Sequence, residues 1–159
     1  MPYVTDRAIL NHLIETCADA EQGFERAAAL VESDTLKALF HAMASERAAF
    51  VRELTPHAQR LGGPAPAEGT TIAGWHRRWM DLRNRMRPHN DHAVLTEVER
   101  GDAASLRAYV EASNGVLPAT AREVIERQRD ELAKSHECLV ALRDAPARAR
   151  RRNRPRHRM

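Results

Sequence analysis

Apolar residues recur at three- and four-residue steps along four stretches of the chain, and that period predicts four amphipathic helices. Thr5 is suited to cap the first, which reaches about residue 32 with Leu10, Leu13, Ile14, Cys17, Phe24, Ala28 and Val31 on one face. Ser33 or Asp34 then caps a second helix, whose face is Leu36, Leu39, Phe40, Met43, Phe50, Leu54 and Leu61 and which ends at Gly62-Gly63-Pro64. So tight a connection makes these two helices antiparallel neighbours. Pro56 lies inside the second pattern and predicts a kink or loosened turn near Glu53. Asn90 or Asp91 caps a third helix carrying Val94, Leu95, Val98, Leu106, Tyr109 and Val110 to about residue 113. Pro118 takes a first-turn position in the fourth, which buries Val124, Ile125, Leu132, Leu139 and Leu142 and ends near Asp144.

Between the second and third helices, residues 62–70 are rich in Gly, Pro and Ala and read as a loop. Residues 71–86 (TIAGWHRRWMDLRNRM) then predict a shorter basic helix with Trp75, Trp79 and Leu82 on one side. No run of alternating Val, Ile and Thr calls for a sheet. The expected fold is therefore all-α, an antiparallel four-helix bundle with an additional short helix in the crossover between helices two and three. With 43% hydrophobic and 30% charged residues, the 159-residue chain suits one globular domain over residues 1–145.

The formal net charge of +3 hides a division. Residues 148–158 (RARRRNRPRHR) hold 7 of the 25 basic side chains and no acid, which leaves 18 basic against 22 acidic groups elsewhere, or −4. A mildly acidic body thus carries a basic tail, residues 146–159, expected to stay disordered and able to hold nucleic acid or another polyanion weakly by counterion release. No apolar run approaches the roughly 18 residues of a membrane span, and the start MPYVTDRAIL lacks the basic-then-apolar order of a signal peptide, so the expected location is cytoplasmic. Cys17 and Cys138 have no metal-ligand spacing and are expected to pack as small apolar residues.

Each main helix places one polar or charged residue near its middle, where an antiparallel bundle buries it: Glu21, Arg47, Asp102 and Gln128. The run HAVLTEVERGDAASLRAY (residues 92–109), preceded by GWHRRW (residues 74–79) and followed by Gln128 and His136, resembles a bacterial family of uncharacterised four-helix bundles, domain of unknown function 2383. The likeness covers roughly residues 5–143, and Glu-Arg-Gly-Asp is its sharpest motif. That family in turn resembles the ferritin-like superfamily in helix order, which implies a metal layer built from two Glu-x-x-His pairs and two further carboxylates.

This chain contains no Glu-x-x-His. Glu21 matches the first-helix carboxylate in kind, but the second helix reads Arg47-Ala48-Ala49-Phe50 where the pair is wanted. Glu99 or Asp102 could supply a third-helix carboxylate. On the fourth helix His136 is in place, with Ala133 at the position of its partner acid. An atypical iron or manganese site would draw on Glu21, Glu99, Asp102 and His136. The favoured expectation is instead no cofactor: a buried guanidinium must be paired, so Arg47 is expected in a charge network with Glu21, Asp102 and Gln128. His89, Asp91 and His92 suggest capping, and Trp75, His76 and Trp79 suggest packing of the crossover helix. The reading is a non-enzymatic interaction or stress-associated bundle, expected to form a homo-oligomer, with an atypical metal or redox protein as the alternative.

Overall fold

The computed structural model describes residues 5–62 and 90–145. These form four helices, α1 (Asp6–Leu30), α2 (Asp34–Arg60), α3 (Asp91–Ser113) and α4 (Ala119–Asp144), with no strand among the described residues. The predicted crossover helix with its Trp75, His76 and Trp79, the His89 of the capping cluster, and the basic tail all lie outside the described residues.

The helix starts follow from local chemistry. Thr5 Oγ1 accepts from the Ala8 N–H at 3.2 Å, Ser33 Oγ from the Leu36 N–H at 3.3 Å, and Asn90 Oδ1 from the Ala93 N–H at 3.1 Å. Each satisfies a backbone donor that the first turn leaves free. Pro118 is the residue before the first turn of α4 rather than within it: its ψ of 144° is extended, and Ala119 opens the helix. α2 continues through Pro56 to Arg60, with the Thr55 hydroxyl donating to Val51 O at 2.7 Å.

Which ends meet fixes the topology. Glu25 pairs with His41 across the α1–α2 hairpin, and Tyr109 with Gln128 and Glu99 with Arg143 across α3–α4. The carboxylate of Asp91, at the start of α3, accepts from the Glu32 and Ser33 N–H groups at 2.8 and 3.0 Å, beside the end of α1. α1 and α3 therefore run antiparallel, as do α2 and α4, which meet through Arg47 and Ser135 and through Phe50 and Gln128. α2 consequently ends, and α3 begins, at opposite ends of the bundle. α1 packs closely on α2, α3 on α4 and α1 on α3, while α2 and α3 face each other across the diagonal.

The core is divided. One apolar cluster, including Phe24, Val31, Phe40, Met43, Val94 and Leu139, fills the end at the α1–α2 turn. A second, including Leu10, Leu13, Phe50, Leu54, Tyr109, Ile125 and Leu132, fills the other. Between and beside them are polar side chains withdrawn from water: Arg47, Asp102, Ser105 and Gln128.

Candidate functional site

Phe40, Met43, Arg47, Phe50 and Leu54 recur at three- and four-residue steps along α2, so the helix carries Arg47 inward with its apolar neighbours. The guanidinium is 0% exposed. It reaches across the diagonal to α3, where Nη2 donates to Asp102 Oδ1 at 2.7 Å, while Nη1 donates to Glu46 Oε1 at 2.5 Å and Nη2 also to Ser135 Oγ of α4 at 3.3 Å. Its carbon lies 5.6 Å from the Phe24 ring centre and 5.5 Å from that of Phe50, so a cation is held between two aromatic faces. Burial disfavours the charge, but Asp102 and then Glu46 more than offset it. Arg47 is held charged, with its pKa raised above the ordinary arginine value.

The pair continues outward as a ladder of alternating groups. Asp102 Oδ2 is 3.4 Å from His136 Nδ1, and His136 Nε2 is 3.5 Å from Glu99 Oε1. Glu99 Oε2 then accepts from Arg143 Nη1 at 2.6 Å, and Arg143 Nε donates to Asp144. The order from the centre to the end of α4 is acid, guanidinium, acid, imidazole, acid, guanidinium, acid. Its middle is imperfect: Asp102 Oδ2 and His136 Nδ1 are neighbours, yet neither makes a hydrogen bond, and Arg47 Nε is likewise buried without one.

A second, neutral set of polar groups lies deeper in the other cluster. Tyr109 Oη donates to Gln128 Oε1 at 2.7 Å, and Gln128 Nε2 donates to Phe50 O at 3.3 Å. With the phenolic proton used in this way, the Cys17 thiol 3.1 Å from Tyr109 Oη is the donor to it. Burial raises the Cys17 pKa from 9.0 to about 11 and pushes Tyr109 well above the ordinary phenol value. Both groups are kept neutral, the opposite of what a nucleophilic thiolate requires.

Of the four residues expected in the central layer, Arg47, Asp102 and Gln128 are buried, and Arg47 and Asp102 bond directly. Gln128 joins Tyr109 instead of the guanidinium. Glu21 is only half-buried and makes no hydrogen bond to Arg47. The buried stripe of α1 runs through Leu13, Cys17, Ala20, Phe24 and Ala27, so Glu21 falls one step beside it. Its expected role is filled by Glu46, the chain neighbour of Arg47. Ser135, Arg143 and the Cys17–Tyr109 contact were also missed. A tyrosine and a cysteine on apolar stripes were the only signal for the last of these.

Glu99, Asp102 and His136 do come together, as an iron or manganese site drawn from them would require. Asp102 already binds the Arg47 guanidinium and Glu99 that of Arg143. A divalent ion there would face two fixed cations. Among the described residues, no three His, Cys, Asp or Glu side chains are arranged to hold a metal ion.

No helix among the described residues is long and apolar enough to cross a membrane. No curated protein matches the chain. A family match extends over residues 7–115, from the first turn of α1 to the end of α3, and so takes in the Glu-Arg-Gly-Asp motif, Arg47 and Asp102. On that match the chain belongs to the family described as a domain of unknown function (DUF2383).

Proposed function

We propose that this protein is a non-enzymatic ferritin-like helical bundle, acting as an interaction or stress-associated protein, in which a charge network occupies the layer where that superfamily holds metal. The observation that carries this reading is Arg47, 0% exposed and bound to Asp102 in the bundle centre. A permanent cation at that point repels a metal ion and takes up the carboxylate that would ligate it. The helix order supports the ferritin-like assignment, because α2 and α3 lie diagonally with the end of one and the start of the other at opposite ends of the bundle. A short helix over residues 71–86 would then belong to the connection that joins those ends. The network's role is register: Arg47 accepts only an arrangement that brings α3 acids to α2, which apolar packing alone does not enforce.

Function then resides on the surface. The 7 basic side chains of residues 148–158 suit weak, sequence-independent contact with a polyanion, and self-association would place several such tails together. Cys17 is buried, whereas Cys138 is exposed rather than packed as an apolar residue; both are free thiols, which supports a reducing, cytoplasmic setting.

The test is elemental analysis of the purified, tag-free chain after incubation with Fe(II), Mn(II) and Zn(II) and removal of loose metal. The reading predicts no retained metal. Retention of one or two equivalents, abolished by His136→Ala, would overturn it in favour of an atypical metal or redox protein built on Glu99, Asp102 and His136.

A further inference from the structure

α4 is held differently from the other three helices. α1 buries ten of its residues and α2 and α3 seven each, whereas α4 buries five: Ala121, Ile125, Gln128, Leu132 and Leu139. It packs along α3 and meets α2 at few places among the described residues. Where α4 meets α2, the hydrogen bonds are polar links, from Arg47 to Ser135, from Gln128 to Phe50 O, and between Arg127 and Glu53. Towards α3 it adds Tyr109–Gln128 and the Asp102–His136–Glu99–Arg143 ladder. The family match ends at residue 115, within the turn that precedes α4.

We propose that α4 is a separable helix, opening from the α1–α3 unit as one piece, and that the buried polar layer is its latch. The physical basis is the kind of contact involved. Apolar burial holds α1 to α2, whereas buried ion pairs and hydrogen bonds gain little net over water because the same groups are well solvated once released. The element that buries the fewest apolar side chains, and that meets α2 through polar links, is the one whose opening lies lowest in free energy. The turn at residues 114–118 suits a pivot. Arg122 clamps its closed form by donating to Ser113 O at 2.6 Å and Gly115 O at 2.5 Å, both within one turn of the joint. Opening uncovers the α2–α3 groove lined by Phe50, Leu54 and Tyr109 together with the Arg47–Asp102 pair.

Hydrogen exchange on the full-length native protein, read by mass spectrometry in low denaturant, tests this. Backbone amides of residues 125–139 are expected to exchange together, about tenfold or more faster than those of residues 13–27 and 44–54. Gln128→Ala, which cuts the links to Tyr109 and Phe50, is expected to speed exchange in α4 while leaving α1 and α2 unchanged. The milder Ser135→Ala should act in the same direction by a smaller factor, and gives the same reading if Gln128→Ala fails to fold. Exchange of α4 in step with α1 and α2, or equal acceleration of all four helices by Ser135→Ala, would overturn the proposal.

Discussion

The bundle interior holds two polar groupings that solve the same problem in different ways. The neutral set, Cys17, Tyr109, Gln128 and Phe50 O, forms a short chain in which each polar atom has a hydrogen-bond partner. The charged set, Glu46, Arg47, Asp102 and His136, pairs the guanidinium with two carboxylates but leaves Arg47 Nε, Asp102 Oδ2 and His136 Nδ1 without hydrogen bonds. A neutral network can be completed locally and sealed in apolar surroundings. A buried cation cannot, because its neutralisation calls for acids from two helices and carries the network outward to Glu99 and Arg143. The charged set therefore couples the centre of the bundle to its rim, and the neutral set does not.

The largest test of that difference is Asp102→Ala, which leaves the Arg47 charge buried with only Glu46 and Ser135. It is expected to lose about 3–5 kcal/mol in urea denaturation, with a large share of the loss in the charged set alone. The neutral set is exposed to pH instead. The folded Cys17 thiol keeps its proton up to about 11, because burial disfavours the thiolate, whereas the unfolded thiol releases it near 9.0. The folded state thus binds more protons between these values, so the contribution of Cys17 to stability is constant below pH 9 and is lost as pH rises to 11. The loss due to Cys17 is on the order of 3 kcal/mol. Thermal melts of the native protein and Cys17→Ala across that window should converge as the thiol's contribution disappears.

Tyr109→Phe keeps the ring but strands Gln128 Oε1 and the Cys17 thiol, and is expected to cost about 1–3 kcal/mol. Arg127→Ala removes surface ion pairs to Glu53 and Glu131 that remain well exposed to water. Its effect should stay below about 1 kcal/mol and shrink further in high salt. A loss from Arg127→Ala as large as that from Asp102→Ala would erase the distinction between buried and exposed charge.

Much of the frame could be read from spacing. Four apolar stripes gave four helices, and Thr5, Ser33 and Asn90 marked three of the starts because capping is a local event. Arg47 and Asp102 stood out as charges in register with apolar neighbours, at positions 40, 43, 47, 50 and 54 and at 94, 98, 102, 105 and 109. The same rule failed for Glu21, since a helix packed on two others has a stripe whose centre one residue can miss. Partner choice was not legible. Whether Arg47 takes Glu21 or Glu46, and whether Asp91 caps its own helix or ties down the α1–α2 turn, depends on where the helices lie relative to one another.

Arg47 and Asp102 form one structural unit in the bundle core. A double-mutant cycle of Arg47→Met and Asp102→Leu in chemical denaturation measures it most directly. Each single variant is predicted to lose about 3 kcal/mol or more by stranding a buried charge, while the double variant recovers most of that loss and keeps its helical content. Single variants within about 0.5 kcal/mol of the native protein, or a double variant that loses the sum of both, would show that the two side chains are not coupled.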